Sequence, residues 1–89
     1  MRSQLLAARA AALFASELPS GTRPPGAVVE AAIGRAVRTF GVSGCVATLA
    51  AAYGECPETA MPRMRWARGV VLSLYDVRRP EPERELAAA

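Results

Sequence analysis

The segment LPSGTRPPG, residues 18–26, constrains the fold of this chain more than any other feature. It contains three prolines and two glycines, with a serine and a threonine between them. Proline fixes φ and lacks a backbone donor, and the other residue types favour turns, so a helix cannot continue through the segment. We therefore expect an extended loop that separates one N-terminal helix from the rest of the chain.

Apolar residues on both sides of this loop recur at helical spacing. Helix one is predicted at residues 3–17, with Ser3 as its N-cap. Helix two is predicted at residues 26–40 and ends at Gly41. The apolar stripe of helix two consists of Val29, Ile33, Val37 and Phe40.

Two further helices follow from the same criteria. Helix three is predicted at residues 44–53, with Ser43 as N-cap and Gly54 as the left-handed residue that ends it. Its buried face is expected to consist of Val46, Leu49, Ala50 and Tyr53. Helix four is predicted to run to about residue 77 and to be the central packing element. Its apolar stripe consists of Met64, Ala67, Val71, Leu74 and Tyr75.

The start of helix four has two alternatives. Pro57 suits the first helical position, but Pro62 then lies in the second turn and removes a backbone hydrogen bond. With Thr59 as N-cap instead, Pro62 lies in the first turn, where its missing donor is harmless.

These elements predict an all-α fold, a four-helix array in one small domain. Residues 1–77 form the domain, in which helices two, three and four make a compact trihelical unit and helix one lies across it. Residues 78–89 contain two prolines, alternating charges and almost no large hydrophobic residue, so they are predicted to form a flexible tail.

The residue types exclude most catalytic chemistry. The chain has no histidine, all eleven of its basic residues are arginine, and Glu55 and Glu58 are the only acids close together in an ordered segment. The sequence therefore predicts no enzyme activity, no cofactor, no metal site and no small-molecule substrate. Cys45 and Cys56 lack CxxC spacing and are expected to be buried small hydrophobes in a reducing, cytoplasmic compartment. Arg9 interrupts the N-terminal apolar run, so we expect neither a signal peptide nor a membrane partner.

The stretch AAAYGECPETA, residues 50–60, has the small residue, turn glycine and following proline of a helix-turn-helix. Residues 46–66 resemble the helix-turn-helix of many bacterial regulators and transposases, in which AxxYGxxPxT is common. The whole chain is similar to small uncharacterised helical proteins of high-GC bacteria, a resemblance that implies no activity.

The helix-turn-helix resemblance implies a DNA-binding regulator. Glu58, Met61 and Arg65 would project into the groove, and only Arg65 has the bidentate fork that recognises guanine well. The net charge of +3 permits a nucleic-acid partner. The residues expected to contact phosphates are Arg35, Arg38, Arg63 and Arg68.

The alternative is a protein-protein interaction module or a homodimeric adaptor that binds no nucleic acid. Helix four is apolar round most of its circumference, more than a neighbouring pair of alanine-rich helices can cover. Trp66 and Val70 widen its apolar stripe and are the residues predicted to contact a protein partner.

Overall fold

The structure is a computed structural model that describes residues 2–75. Within that range the chain forms three α-helices and no strand: α1 (Arg2–Ala15), α2 (Gly26–Glu55) and α3 (Pro57–Tyr75). The predicted all-α class is confirmed, and residues 16–25 carry no helix, as their prolines and glycines require. The predicted flexible tail at residues 78–89 lies outside the described residues.

The prediction of four helices is wrong, because the second and third predicted helices are two arms of one element. α2 bends at Gly41, whose φ of 74° and ψ of 164° are non-helical. Helical geometry resumes immediately afterwards, so no loop separates the first arm (residues 26–40) from the second arm (residues 42–55). Glycine has no Cβ and adopts positive φ readily, which permits the bend at a single residue.

The central packing element is α1, not the last helix. It packs against both other helices, more extensively than α2 and α3 pack against each other. Residues 10–14 are all buried, so this part of α1 is covered on every side. The predicted trihelical unit with helix one lying across it is therefore corrected. Three of these residues are alanines, and their small side chains let neighbouring helices approach α1 closely from two sides.

The core has two parts, on different sides of α1. The part shared by all three helices is built round Leu13, Phe14, Val29 and Val71, with alanines between them. The part between α1 and the two arms of α2 consists of Ala11, Ala12, Ala36 and Cys45. Ile33 and Leu49 contact both parts. Both arms of α2 are thus held on α1, largely through small side chains.

A single residue, Cys56, joins α2 to α3. Its N–H donates to the carbonyl of Ala52 (2.8 Å), and its own carbonyl accepts a hydrogen bond from the N–H of Ala60 (3.0 Å). Cys56 alone therefore ends α2 and begins α3. Of the two starts left open by the sequence, α3 begins at Pro57, and Pro62 lies inside it.

Arg9, the charge within the apolar run of α1, contacts the end of α3. Its guanidinium carbon lies 4.0 Å from the centroid of the Tyr75 ring, a cation-π contact. Burial, and then the Glu30 carboxylate, raise the pKa of Tyr75, and Arg9 opposes that rise. The contact joins α1 to the last residue of α3.

The two cysteines lie in different surroundings, which corrects the prediction that both are buried. Both are free thiols, Cys45 buried and Cys56 exposed. The Cys45 thiol donates to the carbonyl of Ala36 (3.7 Å) and so joins the two arms of α2 across the bend. Burial raises the pKa of Cys45.

We expect only Cys56 to react rapidly with an exposed-thiol reagent in the native protein. Cys45 should react after unfolding, because its sulfur is inaccessible and its thiolate form is disfavoured by burial. Colorimetric thiol titration with and without denaturant measures both. The Cys56→Ser variant should lose the rapid phase, and a rapid phase that persists in it would contradict the burial of Cys45.

Candidate interaction surfaces

The second arm of α2 turns a different face to the core than its sequence predicts. Of the four residues expected to be buried, only Leu49 packs against the core, whereas Val46 and Tyr53 are exposed. Cys45 and Ala52 take the inward positions. The sequence is apolar on both of these neighbouring stripes, so periodicity alone does not decide which one faces α1. The bend at residue 41 decides it.

This rotation leaves an apolar stripe on the surface, consisting of Val42, Val46, Ala50 and Tyr53. Spacings of four, four and three place the four residues on one side of the helix. The two valines and the tyrosine are 51%, 47% and 38% exposed. Ala47, Ala51 and Gly54 are also exposed, and residues 39–54 contain no charge. Phe40, expected in the core, is exposed as well, next to the bend.

Arg63 turns inward and binds the C-terminal end of α1. Its guanidinium donates four hydrogen bonds, to the carbonyl oxygens of Phe14 (2.9 Å), Ser16 (2.9 Å) and Leu13 (3.4 Å) and to the hydroxyl of Ser20 (2.9 Å). A cation in this position also interacts favourably with the negative end of the helix dipole. Burial lowers the pKa of Arg63. The predicted phosphate contact would compete with all of these bonds.

Trp66 and Val70, the predicted partner contacts, are half-buried and pack against the core. The indole N–H of Trp66 donates to the carbonyl of Thr22 (2.8 Å), which anchors the proline-rich loop to α3. The Arg63 guanidinium carbon lies 5.1 Å from the centroid of the Trp66 ring and 5.6 Å from that of Phe14. Loop, α1 and α3 therefore meet at one cluster around Arg63.

The other predicted DNA contacts lie at the surface in separate places. Arg35 forms an ion pair (2.9 Å) with Glu17, which follows the C-terminal end of α1. The Arg38 side chain folds back along the first arm and lies close to Gly34. Its Nη1 is 3.3 Å from the position that a Cβ would occupy if residue 34 had one. The remaining members of the predicted set are exposed on α3, and they are Glu58, Met61, Arg65 and Arg68.

The corner between α2 and α3 differs from a glycine turn. A helix-turn-helix turn of the predicted kind needs positive φ at Gly54. Gly54 instead has helical geometry within α2, and the glycines with positive φ in the described part of the chain are Gly21 and Gly41. The helices join through Cys56 alone. Pro57 keeps its predicted place at the start of α3, and Ala60, in the first turn after it, is buried.

Besides the groove next to the proline-rich loop, which Trp66 and Val70 line, two shallow grooves run along α3, and the sequence does not reveal them. The α1/α3 groove has Leu6, Ala7, Ala10 and Val71 along its length. The α2/α3 groove lies beside Tyr53 and Met61. Both grooves share three lining residues, which are Met64, Arg68 and Leu72. The sequence pattern assigned Met64 to the buried stripe and so concealed its exposed edge.

No protein-family model, curated protein or solved structure matches this chain. Its function has to be inferred from the surfaces described above.

α2 is long and apolar enough to be a candidate membrane span by length and composition alone, a test that core helices also pass. Three of its charged residues, Glu30, Arg35 and Arg38, lie in the first arm, and the fourth, Glu55, is the last residue of the second arm. The uncharged part, residues 39–54, is shorter than the roughly 20 residues of a typical span. Among residues 2–75 no group of three or more metal-ligating side chains comes together.

Proposed function

We propose that this protein is a small protein-protein interaction module that self-associates through the apolar stripe on the second arm of α2. The observation that supports the proposal is the exposure of three large apolar side chains along residues 39–54 of α2, which carry no charge. Burying apolar surface is the main favourable contribution to protein association. A contiguous exposed apolar patch on a soluble protein commonly marks an interaction site.

A second copy of the chain suits this stripe better than other partners do. A chain with net charge +3 repels its own copy, but residues 39–54 contribute no charge and can meet the same residues about a twofold axis without repulsion. Nucleic acid and anionic lipid both need cations, which the stripe lacks. Ala47, Ala51 and Gly54 beside it permit two helices to approach closely.

The size of the stripe limits the expected affinity. From Val42 to Tyr53 the helix rises about 17 Å, at 1.5 Å per residue. One face of a helix of this length covers less than the roughly 800 Å² per partner of a standard interface. We therefore expect a dimer with a dissociation constant on the order of 10–100 µM, weak enough to be missed at low concentration.

Sedimentation velocity over about 5 to 500 µM protein tests this proposal, because that range brackets the expected dissociation constant. The wild-type protein should shift from monomer to dimer. Val46→Glu should stay monomeric, because a twofold contact would bring two carboxylates into an apolar interface. Val28→Glu is the matched control, since Val28 is an exposed valine of the same helix outside the stripe.

A wild-type protein that remains monomeric throughout would overturn the proposal, as would a dimer that Val46→Glu and Val28→Glu weaken equally. Mixing Val46→Glu with Val46→Lys should restore dimers, because the opposite charges would then face each other across the axis. Circular dichroism before each run checks that the variants are folded.

DNA binding is the second candidate function. The observation in its favour is the exposure of Arg65 and Arg68 on α3, with no carboxylate among the described residues that line the grooves beside them. The inward contacts of Arg63 and the ion pair of Arg35 leave fewer arginines for phosphates than the sequence suggests. The predicted cytoplasmic location and the predicted lack of catalysis stay predictions.

A further inference from the structure

Among residues 2–75, no helix fills the α1/α3 groove of the helical array. Leu6 and Ala10 of α1 form one wall, and Met64, Val71 and Leu72 of α3 form the other. Side chains on two neighbouring helices leave a furrow of this kind between them, and a third helix can lie in it. Methionine is flexible and polarisable, so Met64 can adapt to the shape of an incoming side chain.

Arginines line the two grooves, and no acid is among the described residues that line them. Arg68 lines both grooves of α3, and Arg65 lines the α2/α3 groove beside it. In the described part of the chain, neither groove is lined by an aspartate or glutamate, and the ion pair found within residues 2–75, Arg35–Glu17, lies elsewhere. An apolar furrow with cations on one side is complementary to a helix that is apolar on one face and acidic beside it.

We propose that the α1/α3 groove binds an acidic amphipathic helix of a partner protein, with its apolar face on Leu6, Met64 and Leu72 and its carboxylates on Arg65 and Arg68. A DNA backbone would meet the two arginines but leave the apolar furrow uncovered, so the lining favours a peptide. A second copy of this chain is disfavoured, because its apolar stripe carries no carboxylate. The α1/α3 groove contains no residue of the apolar stripe, although Tyr53 of the stripe lines the neighbouring α2/α3 groove, and the proposal does not depend on self-association.

Two fluorescein-labelled peptides of about 15 residues, long enough to form a helix, test this site. Both carry leucine at positions i, i+4 and i+7, flanked by glutamate in one peptide and by lysine in the other. Fluorescence anisotropy should show saturable binding of the glutamate peptide, at least about tenfold tighter than the lysine peptide. In Arg65→Glu/Arg68→Glu that preference should reverse.

The matched control is Arg35→Glu/Arg38→Glu, which changes the net charge equally but lies on α2, away from both grooves. It should retain the preference for the glutamate peptide, and so should the monomeric Val46→Glu variant. A failure of self-association would therefore leave this result unaffected. Leu72→Asp should abolish binding of the glutamate peptide, because it places a carboxylate on the apolar wall.

The proposal is overturned if the glutamate peptide does not bind at about 500 µM, or if both peptides bind equally. A labelled DNA duplex measured from about 50 to 200 mM salt is the competing arm of the experiment. Three results together would assign these arginines to DNA instead. Duplex binding would weaken steeply with salt, it would be lost in Arg65→Glu/Arg68→Glu, and the glutamate peptide would not displace the duplex.

Discussion

Arg63→Ala should lower the free energy of unfolding by about 3 kcal/mol, because the substitution removes four charge-assisted hydrogen bonds at the end of α1. A domain of this length is typically stable by only roughly 5–10 kcal/mol, so the loss would be a large fraction of the total. The two cation-π contacts of the same guanidinium, with Phe14 and Trp66, would also disappear. Urea titration followed by circular dichroism measures the change.

Arg65→Ala is the matched control for this prediction. Arg65 is an arginine of the same helix, two residues away and exposed, and its removal should change the free energy of unfolding by less than about 0.5 kcal/mol. Arg63→Lys keeps the charge but loses the planar fork, so we expect it to lie between the two. Equal stabilities of Arg63→Ala and Arg65→Ala would rule out the structural role of Arg63.

Gly41→Ala should destabilise the protein by about 2 kcal/mol through the backbone alone. A Cβ at this position would meet nothing within 4 Å, so no steric clash contributes. The cost arises because φ of 74° with ψ of 164° is a region that essentially only glycine occupies. If α2 straightened instead, the second arm would leave α1 and the contacts of Cys45 would be lost. Thermal and urea unfolding both measure the effect.

Gly54→Ala should stabilise the protein, whereas Gly41→Ala should destabilise it. Gly54 is exposed, and a Cβ added there would, as at Gly41, meet nothing within 4 Å, but its backbone is helical. Alanine is a better helix former there and should stabilise the protein by up to about 1 kcal/mol. The comparison of Gly54→Ala with Gly41→Ala also tests the turn implied by the helix-turn-helix resemblance. A left-handed backbone at Gly54 would make Gly54→Ala destabilising. Destabilisation by Gly54→Ala would therefore contradict the corner described above.

The hydrogen bonds of Arg63 explain how a charged side chain can turn inward in a small alanine-rich fold. α1 ends at Ala15, where its last carbonyl groups have no partner within the helix. The Ser16 hydroxyl caps the Leu13 carbonyl locally (2.6 Å), and Arg63 supplies further donors to the carbonyls of Leu13, Phe14 and Ser16. Nothing in the local sequence signals this, because the acceptors lie 43 to 50 residues away along the chain.

The local sequence determined the elements that depend on short-range chemistry. The prolines and glycines of residues 18–26 forced a loop, and the apolar spacing predicted helices on both sides of it. The buried positions of Val29 and Val71 followed from the same spacing. Gly41 was expected to end a helix, and its positive φ agrees with that expectation.

Tertiary packing decided what the periodicity left undetermined. Three features depended on contacts between distant parts of the chain. They are the joining of helices two and three, the face of the second arm that meets α1, and the direction of the Arg63 side chain. Alanine-rich helices are weakly amphipathic, because alanine is accepted both inside and outside a core. In such a helix several rotations bury similar area, and the bend at Gly41, together with the close approach of α1, selects the one that exposes Val42, Val46 and Tyr53.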